Sequence, residues 1–272
     1  METLISSVMR GSSAARAEQA LNTTLISHIF NEEYLLPFWL NHHKDMFDKI
    51  IIIDYNSTDN SIEICKTICP ECQIIKSRNN CFEAVKVDIE VMDIENTLQG
   101  IKMVLNTTEF LFCETPIKDL FFDNKKPISY AVNALTPYSL NLYNINNNYE
   151  LFTNLFNDDV VYHYDRGTRQ IHNFSNGNYS IGRHTTKNMS LYTNKAHIIW
   201  MGYYPMNDKL LKRKLQIHQN IPQINKDQGL GIEHLYSKEK MLNINYEKSK
   251  RGLSLKNINL PLYNLLVDLY KI

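Results

Sequence analysis

Residues 24–59 read TLISHIFNEEYLLPFWLNHHKDMFDKIIIIDYNSTD. The β-branched and apolar residues of Thr24 to Phe30 predict a strand that ends in a polar cluster. Apolar residues between Glu33 and His43 recur at helical spacing, which predicts a helix. Lys49 to Asp54 predicts a second strand, and its uninterrupted isoleucines indicate burial on both faces of a sheet. This strand–helix–strand order is typical of a parallel βαβ unit.

The alternation of strands and helices continues as far as residue 112. The further predicted elements are a helix from Asn60 to near Pro70, a strand over Gln73–Lys76, a long helix over Phe82–Leu105 and a strand over Glu109–Phe112. We therefore predict an α/β fold with a mostly parallel central sheet flanked by helices.

After Asp123 the pattern loosens and predicts a smaller mixed region. Its predicted elements are short strands between Asp158 and Ile181, a basic helix over Asp208–Ile217 and an amphipathic helix over Leu260–Tyr270. We expect residues 23–272 to form one domain, with a change of texture near residue 123 dividing it into residues 23–123 and residues 124–272.

The composition disfavours several classes of function. The 272 residues include 29 basic and 29 acidic side chains, whereas a nucleic-acid-binding protein usually has a basic surplus, so we expect no nucleic-acid partner. No apolar run approaches the roughly 18 residues of a transmembrane helix. The five cysteines form an odd count, and no signal peptide is visible. We therefore expect reduced thiols and a cytoplasmic location.

The N-terminus differs in composition from the rest of the chain. Half of the eight alanines lie between Ala14 and Ala20, whereas the remainder is rich in Asn, Ile, Lys and Tyr. We interpret residues 1–22 as an extension, either a leader or a stretch added during cloning, with an ordinary surface helix as the alternative.

Two polar clusters follow the first two predicted strands. Asn31, Glu32 and Glu33 follow the first strand, and the second strand runs into the cluster of residues 54–59. In open parallel sheets, ligands bind beyond the carboxyl ends of the strands. Phe30 could stack on a nucleobase, and a carboxylate there could accept hydrogen bonds from a base or ribose. The alternative is that both clusters are helix N-caps rich in Asn, Ser and Asp.

The same two clusters carry a family resemblance. Residues 26–43, with Asn-Glu-Glu and then Leu-Pro-Phe-Trp-Leu-Asn-His-His, resemble the opening of family 2-like and family 92-like glycosyltransferases. Residues 51–61 resemble the same group's strand followed by Asp-x-x-Ser-x-Asp. Weaker resemblance continues over residues 169–172, 179–184 and 227–234.

The resemblance implies a GT-A fold and transfer of a sugar, of hexosyltransferase type, to a hydroxyl of a glycan, lipid or protein acceptor. It implies a nucleoside-diphosphate sugar as donor, with residues 23–123 as the donor half and residues 124–272 as the acceptor half. The donor-binding residues that it implies are Phe30, Asn31, Glu32, Asp54, Asn56, Ser57 and Asp59, and we add Arg183 and His184 from the later blocks.

The sequence departs from this family at its metal-binding motif. The usual Asp-x-Asp-Glu-Phe corresponds here to Asn106-Thr107-Thr108-Glu109-Phe110. Mg²⁺ and Mn²⁺ prefer carboxylate oxygens, so a metal would be held weakly, through Asn106, Thr108 and Glu109. The alternatives are that cations such as Arg183, His184 or Lys102 neutralise the diphosphate, or that activity has been lost.

An inverting glycosyltransferase also needs a base for the acceptor hydroxyl. Asp227 is the first candidate because it precedes a Gly-x-Gly turn, and His234 is the second. The alternatives are an ordinary loop aspartate at position 227 and a helix-facing histidine at position 234.

Two other functions fit parts of the sequence. Cys65, Cys69 and Cys72 have the spacing of iron–sulfur ligands in radical enzymes that use S-adenosylmethionine, although Cys65 and Cys69 also fit the core face of a helix. A non-catalytic carbohydrate- or protein-binding module on a decayed transferase fold would fit the loss of both aspartates of the metal motif.

Overall fold

The computed structural model describes residues 21–122 and 126–271. The predicted extension over residues 1–22 and the predicted boundary at residue 123 therefore lie almost wholly outside the described residues. The strands are β1 (Thr23–Ile29), β2 (Lys49–Asp54), β3 (Gln73–Lys76), β4 (Ile101–Val104), β5 (Glu109–Cys113), β6 (Ser129–Val132), β7 (Ala134–Tyr138), β8 (Val161–His163), β9 (Arg169–His172), β10 (Ser190–Tyr192) and β11 (Ala196–Trp200).

The α-helices of the described residues connect these strands or cover them. They are α1 (Leu36–His43), α2 (Ser61–Ile68), α3 (Ala84–Glu95), α4 (Asn148–Thr153), α5 (Asp208–Gln216), α6 (Gln223–Asp227), α7 (Lys238–Ser249), α8 (Leu255–Ile258) and α9 (Leu260–Tyr270). Short 3-10 turns lie at Ile117–Phe121, Asn154–Phe156, Ile217–Asn220 and Ile232–Leu235. None of these helices is long and apolar enough to cross a bilayer.

The central sheet of the described residues has seven strands in the order β10-β6-β9-β4-β1-β2-β3. The pairs β1–β2, β1–β4, β2–β3 and β6–β10 are parallel, whereas β9 runs antiparallel to both of its neighbours. This confirms the predicted α/β class with a mostly parallel sheet. Strands from both sides of residue 123 share the sheet, because β6, β9 and β10 extend the edge formed by β4.

The isoleucine run of β2 is buried on both faces, as its lack of alternation predicts. Ile50 and Ile52 belong to the large core under α1, whereas Ile51 and Ile53 belong to a second core under α3. Side chains of a strand point alternately to opposite faces, so a strand with helices on both sides needs apolar residues at every position.

The second sheet of the described residues has the order β5-β11-β7-β8 and mixes parallel and antiparallel pairs. The predicted strand over Glu109–Phe112 exists, but it lies in this sheet, next to β11, and not in the central one. Helix α1 fixes β5 in place through side-chain bonds to its backbone. Trp39 Nε1 donates to Glu109 O (3.0 Å), and His43 Nε2 accepts from the Leu111 N–H (3.1 Å).

The predicted helix over Phe82–Leu105 is wrong in its second half. Helix α3 ends at Glu95, and the chain turns back through Gly100 into β4, which pairs with β1. Gly100 has φ +87°, and a Cβ there would lie 2.2 Å from Asn22 O. The predicted helix extends past this turn because β4 is buried at all four positions and apolar at three of them, Lys102 being the exception.

The prediction of reduced thiols is wrong for one pair of cysteines. Helix α2 ends at Ile68, and the following turn brings the Cα atoms of Cys69 and Cys72 to 5.3 Å, where they form a disulfide. Cys65 is fully buried in α2 as a core residue. The iron–sulfur hypothesis is therefore wrong too, because two of its three proposed thiolate ligands are bonded to each other.

Replacing Gly100 by alanine is expected to lower the free energy of unfolding by about 2 kcal/mol or more, because left-handed strain adds to the overlap with the Asn22 carbonyl. Gly229→Ala is the matched control: Gly229 has φ +66° but free space around a Cβ, so about 1 kcal/mol is expected. Urea unfolding measures both. Equal losses in the two variants would contradict the close approach at Gly100.

Candidate functional site

The loops after β1 and β2 are joined by the side chains of the two polar clusters. Asn31 Oδ1 accepts from the backbone N–H groups of Thr58 (2.7 Å) and Asp59 (3.3 Å), and Ser57 Oγ accepts from the Asn31 N–H (3.0 Å). Asp59 Oδ2 in turn accepts from the Glu33 N–H (3.0 Å). The register that places Ile29 beside Asp54 brings the two loops together.

The predicted donor-binding residues of the two clusters use their side chains to stabilise the loops themselves. Asp54 Oδ1 accepts from the Ser57 N–H (3.0 Å), and Asn56 adopts a left-handed conformation with φ +62°. Asn31 and Asp59 line an open outer groove of about 1250 Å³, beside α1 and α5. The alternative interpretation of the clusters as helix N-caps is wrong, because the cap positions Leu35 of α1 and Asn60 of α2 make no side-chain cap bond. The cluster side chains instead bond to backbone N–H groups across the two loops.

A partly open cavity of about 350 Å³ lies next to the two joined loops, beyond the carboxyl ends of β1 and β4. It is smaller than the outer groove, but buried charges and aromatic rings converge on it, as expected for a ligand site. Helix α3, the Asn106–Thr108 turn, α5 and residues 229–234 form its walls. The cavity-lining residues among those predicted are Phe30, Glu32, Asn106, Thr108, Arg183, His184 and His234.

One wall of the cavity is aromatic. Phe30 and Phe82 meet edge to face with their ring centroids 6.1 Å apart, and His28 lies 5.8 Å from Phe82. Burial lowers the pKa of His28 well below its ordinary value, and the charge of Arg183 lowers it further. At neutral pH this wall therefore presents uncharged rings to the cavity.

Three arginines around the cavity are each paired with a buried carboxylate. The closest N–O distance is 2.7 Å between Arg169 and Glu109 and 2.6 Å between Arg213 and Glu32. A buried pair of this kind is strongly destabilised when one partner is lost. The three pairs are Arg169 with Glu109, Arg183 with Asp88, and Arg213 with Glu32.

Two further cations line the cavity beside aromatic rings. The guanidinium carbon of Arg166 lies 4.1 Å from the centroid of the Trp200 ring, and Lys214 Nζ lies 5.4 Å from it and 4.4 Å from that of Tyr203. Among the described residues, no carboxylate lies within ion-pair distance of Lys214. Burial lowers the pKa of Lys214 to about 7, and Arg213 and Arg166 lower it as well.

The residues of the degenerate metal motif do not fit a metal ion. Glu109 is 3% exposed, and its oxygens accept from Arg169 Nε (3.0 Å), Arg169 Nη2 (2.7 Å) and the Asn106 N–H (2.8 Å). Burial alone would raise the pKa of Glu109, but Arg169 outweighs it and lowers the pKa. Thr108 is also buried. No group of three His, Cys, Asp or Glu suited to a metal occurs in residues 21–122 or 126–271.

The cations predicted to neutralise a diphosphate differ in their surroundings. Arg183 lines the cavity but is bonded to Asp88. His184 Nδ1 lies 2.8 Å from Arg169 Nη1, and burial together with that arginine lowers the pKa of His184 to about 4, so the ring is uncharged at neutral pH. Lys102 is buried and donates to Gly100 O (3.0 Å), away from the cavity lining. The expectation of positive charge is therefore wrong for His184.

The loop after β9, residues 173–189, carries four cavity-lining residues, 181–184, and is anchored by a buried polar cluster. Glu95 Oε1 accepts from the Tyr179 hydroxyl (2.7 Å) and lies 3.1 Å from His172 Nε2. Glu95 Oε2 accepts from the Gly177 N–H (2.7 Å). This anchoring holds the far wall of the cavity against α3.

The two predicted base candidates lie in different surroundings. Asp227 ends α6 on the surface, where its Oδ1 accepts from Gln223 Nε2 (2.7 Å), and it does not line the cavity. His234 is exposed to solvent at the cavity, and desolvation by the surrounding residues lowers its pKa to about 4. Its neighbour Glu233 also lines the cavity and has only a distant cation, Arg166 Nη1 at 3.9 Å.

Several charged residues that line the cavity were not predicted from the sequence. Lys214 and Arg213 lie on the predicted basic helix, but nothing in that pattern distinguishes them from Lys209 and Lys212, which face the outer groove. Glu233 lies within the block of residues 227–234, next to His234, the second base candidate. Arg166 lies within the region of predicted short strands, where no local pattern distinguishes it.

Known proteins share only a distant similarity with this chain. No protein-family model matches the sequence, and no curated protein is significantly similar to it. Among solved structures, S. aureus TarS (residues 1–349) matches at 15% identity and a TM-score of 0.33, over 46% of this chain and 38% of that one. Glucosyl-3-phosphoglycerate synthase from Mycobacterium tuberculosis matches at 12% identity and a TM-score of 0.29, over 40% of this chain and 43% of that one. The match thus spans less than half the length of either protein.

Removing one member of the Glu109–Arg169 pair is expected to destabilise the fold strongly. Glu109→Gln leaves a buried guanidinium without its counter-ion, which costs about 3–5 kcal/mol. The double variant Glu109→Gln/Arg169→Gln removes both charges and should recover much of that loss. Urea unfolding of the two single variants and the double variant forms a double-mutant cycle. Additive losses would show that the two side chains are not coupled.

Proposed function

We propose that the chain is a glycosyltransferase that holds a nucleoside-diphosphate sugar in the cavity beyond β1 and β4 and transfers the sugar to an acceptor hydroxyl. The observation that carries this proposal is the pairing of an aromatic wall with two cations: Lys214, which has no carboxylate within ion-pair distance among the described residues, and Arg166, whose one carboxylate partner, Glu233, lies 3.9 Å away. The resemblance of residues 26–61 to glycosyltransferases points to the same reaction. The finer assignments, a hexosyl group and a glycan, lipid or protein acceptor, belong to this proposal, and the cytoplasmic location stays a prediction.

The chemistry of the cavity suits the two ends of such a donor. Phe30 and Phe82 offer aromatic surface for a nucleobase, with stacked or edge-on contact. Arg166 and Lys214 offer charge-assisted hydrogen bonds to phosphate oxygens. A cavity of about 350 Å³ is at the lower end of the size range of small-molecule sites, so part of the donor or acceptor would extend through its opening.

The reaction places two demands on the residues of the cavity. The acceptor oxygen attacks the anomeric carbon while the bond from that carbon to the phosphate oxygen breaks, and the electron pair leaves with the nucleoside diphosphate. Arg166 and Lys214 stabilise the negative charge that develops on the departing diphosphate. The proton of the acceptor hydroxyl passes to a carboxylate, and Glu233 is the cavity carboxylate not bonded to an arginine in a close pair.

A ligand screen tests this proposal directly. Thermal-shift measurements with the nucleoside diphosphates of the four common ribonucleosides and with their sugars, each in EDTA and in Mn²⁺, should show stabilisation by at least one nucleotide. Lys214→Gln should weaken binding of that nucleotide by about tenfold or more, as expected from the loss of a charge-assisted bond. Lys212→Gln, an exposed charge on the same helix, is the matched control and should bind normally.

Three outcomes of that screen are informative. Stabilisation with release of nucleoside diphosphate from a sugar donor supports the transferase. Stabilisation without release under any condition favours a binding module on the same fold. No stabilisation by any nucleotide in either buffer removes the proposed function.

Glu233→Gln is expected to lower kcat by about 10²- to 10⁴-fold with little change in donor KM, because an amide cannot accept the acceptor's proton. Asp227→Asn compares the surface candidate directly with Glu233, and Glu239→Gln is an exposed charge-matched control. Steady-state kinetics with the donor and acceptor found in the screen measure these effects. A large loss of kcat in Asp227→Asn with normal kinetics in Glu233→Gln would reverse the assignment.

A further inference from the structure

We propose that the cavity binds the donor's diphosphate without a divalent metal ion, with Arg166 and Lys214 supplying the two positive charges. This inference rests on the proposed function, because it concerns the diphosphate of the same donor. It departs from what the glycosyltransferase resemblance implies, and the departure comes from how the carboxylates of this chain are used.

The first step concerns the stretch where a metal would be expected. Glu109 is its one carboxylate, and the pair with Arg169 and the N–H of Asn106 occupy both of its oxygens. Asn106 Oδ1 accepts from Arg183 Nη2 (3.3 Å), so the amide oxygen is engaged as well. A metal ion could use Glu109 only by displacing a buried guanidinium, which would leave that guanidinium without a counter-ion at a cost of about 3–5 kcal/mol.

The other carboxylates of the cavity are occupied in the same manner. Both oxygens of Glu32 accept from Arg213, each at 2.6 Å. Asp88 is bonded to Arg183 and accepts from the Gly182 N–H (2.7 Å). A metal site needs several oxygen or nitrogen ligands free at once. Among the described residues that line the cavity, Glu233 is the one carboxylate without a close arginine, and it cannot form such a site alone.

The second step concerns the charge that remains. Each of the three paired arginines is neutralised by its carboxylate, whereas Arg166 and Lys214 lie near the same Trp200 ring with one half-exposed carboxylate, Glu233, 3.9 Å from Arg166. Their mutual repulsion contributes to the lowered pKa of Lys214. An anion bound between them relieves that repulsion. Two cations carry the same charge as one divalent metal, so they can compensate a diphosphate in its place.

The test measures anion binding and metal binding separately. Isothermal titration gives the Kd of inorganic pyrophosphate and of the four nucleoside diphosphates, in EDTA and in Mn²⁺. The expected result is a Kd for the bound nucleotide that changes less than about threefold between the two buffers, well under the tenfold that corresponds to 1.4 kcal/mol. Electron paramagnetic resonance of Mn²⁺ should show no protein-bound ion, with or without nucleotide.

Variants of Lys214 and Arg166 test whether these two side chains bind the diphosphate. In EDTA, Lys214→Gln and Arg166→Gln should each weaken nucleotide or pyrophosphate binding by about tenfold or more. Lys214→Arg keeps the charge and should retain binding, and circular dichroism with urea unfolding shows that the variants fold. Lys212→Gln is the matched control for charge on the same helix.

The outcomes separate this inference from the proposed function. Nucleotide binding that appears only with Mn²⁺, or an Mn²⁺ signal from a bound ion, overturns the inference and leaves the glycosyltransferase proposal standing. Pyrophosphate binding in EDTA that depends on Lys214, without binding of any nucleotide, supports the metal-free anion site and removes the proposed function. Losses in Lys212→Gln equal to those in Lys214→Gln also overturn the inference.

Discussion

The buried ion pair between Glu109 and Arg169 connects most parts of the structure that surround the cavity. It joins the start of β5 in the second sheet to the start of β9 in the central sheet. Arg169 also donates to Gly182 O (3.0 Å) and contacts His184, so the loop that closes the cavity depends on the same guanidinium. Glu109 follows the carboxyl end of β4, where a ligand-binding carboxylate would be expected. Its pairing with Arg169 therefore decides what can bind beyond that end of the sheet.

The pair changes the chemistry of the cavity by removing a carboxylate from it. Two similar pairs, on α3 and α5, remove Asp88 and Glu32 in the same manner. Paired charges give the walls little net potential, whereas Arg166 and Lys214 beside Trp200 have no close carboxylate pair of this kind, Glu233 lying 3.9 Å from Arg166. The cavity therefore has positive charge concentrated on one wall and uncharged aromatic rings on another. That separation is the feature from which we propose an amphiphilic anion, such as a nucleoside diphosphate, as the ligand.

Local patterns predicted the framework well where burial is uniform along an element. The bounds of β2, β3 and α9 follow directly from runs or periods of apolar residues between polar turns. The failure over Phe82–Leu105 has a physical cause, because a short strand buried on all sides has no alternation and looks like the continuation of a helix. Gly100 was the one local signal of the turn, and only its contact with the distant Asn22 backbone shows why glycine is needed there.

The sequence by itself determined the fold class and located polar residues at the strand ends, because hydrophobic periodicity and turn chemistry act over a few neighbouring residues. It also named several residues that line the cavity, such as Phe30 and Arg183. Tertiary structure decided which of those residues have free polar atoms. The side chains of Asn31 and Asp59 form the hydrogen bonds that join two loops. The carboxylate of Glu109 is paired with Arg169, 60 positions away in the chain. Charge pairing of this kind depends on distances between side chains that are remote in sequence, and no local pattern contains them.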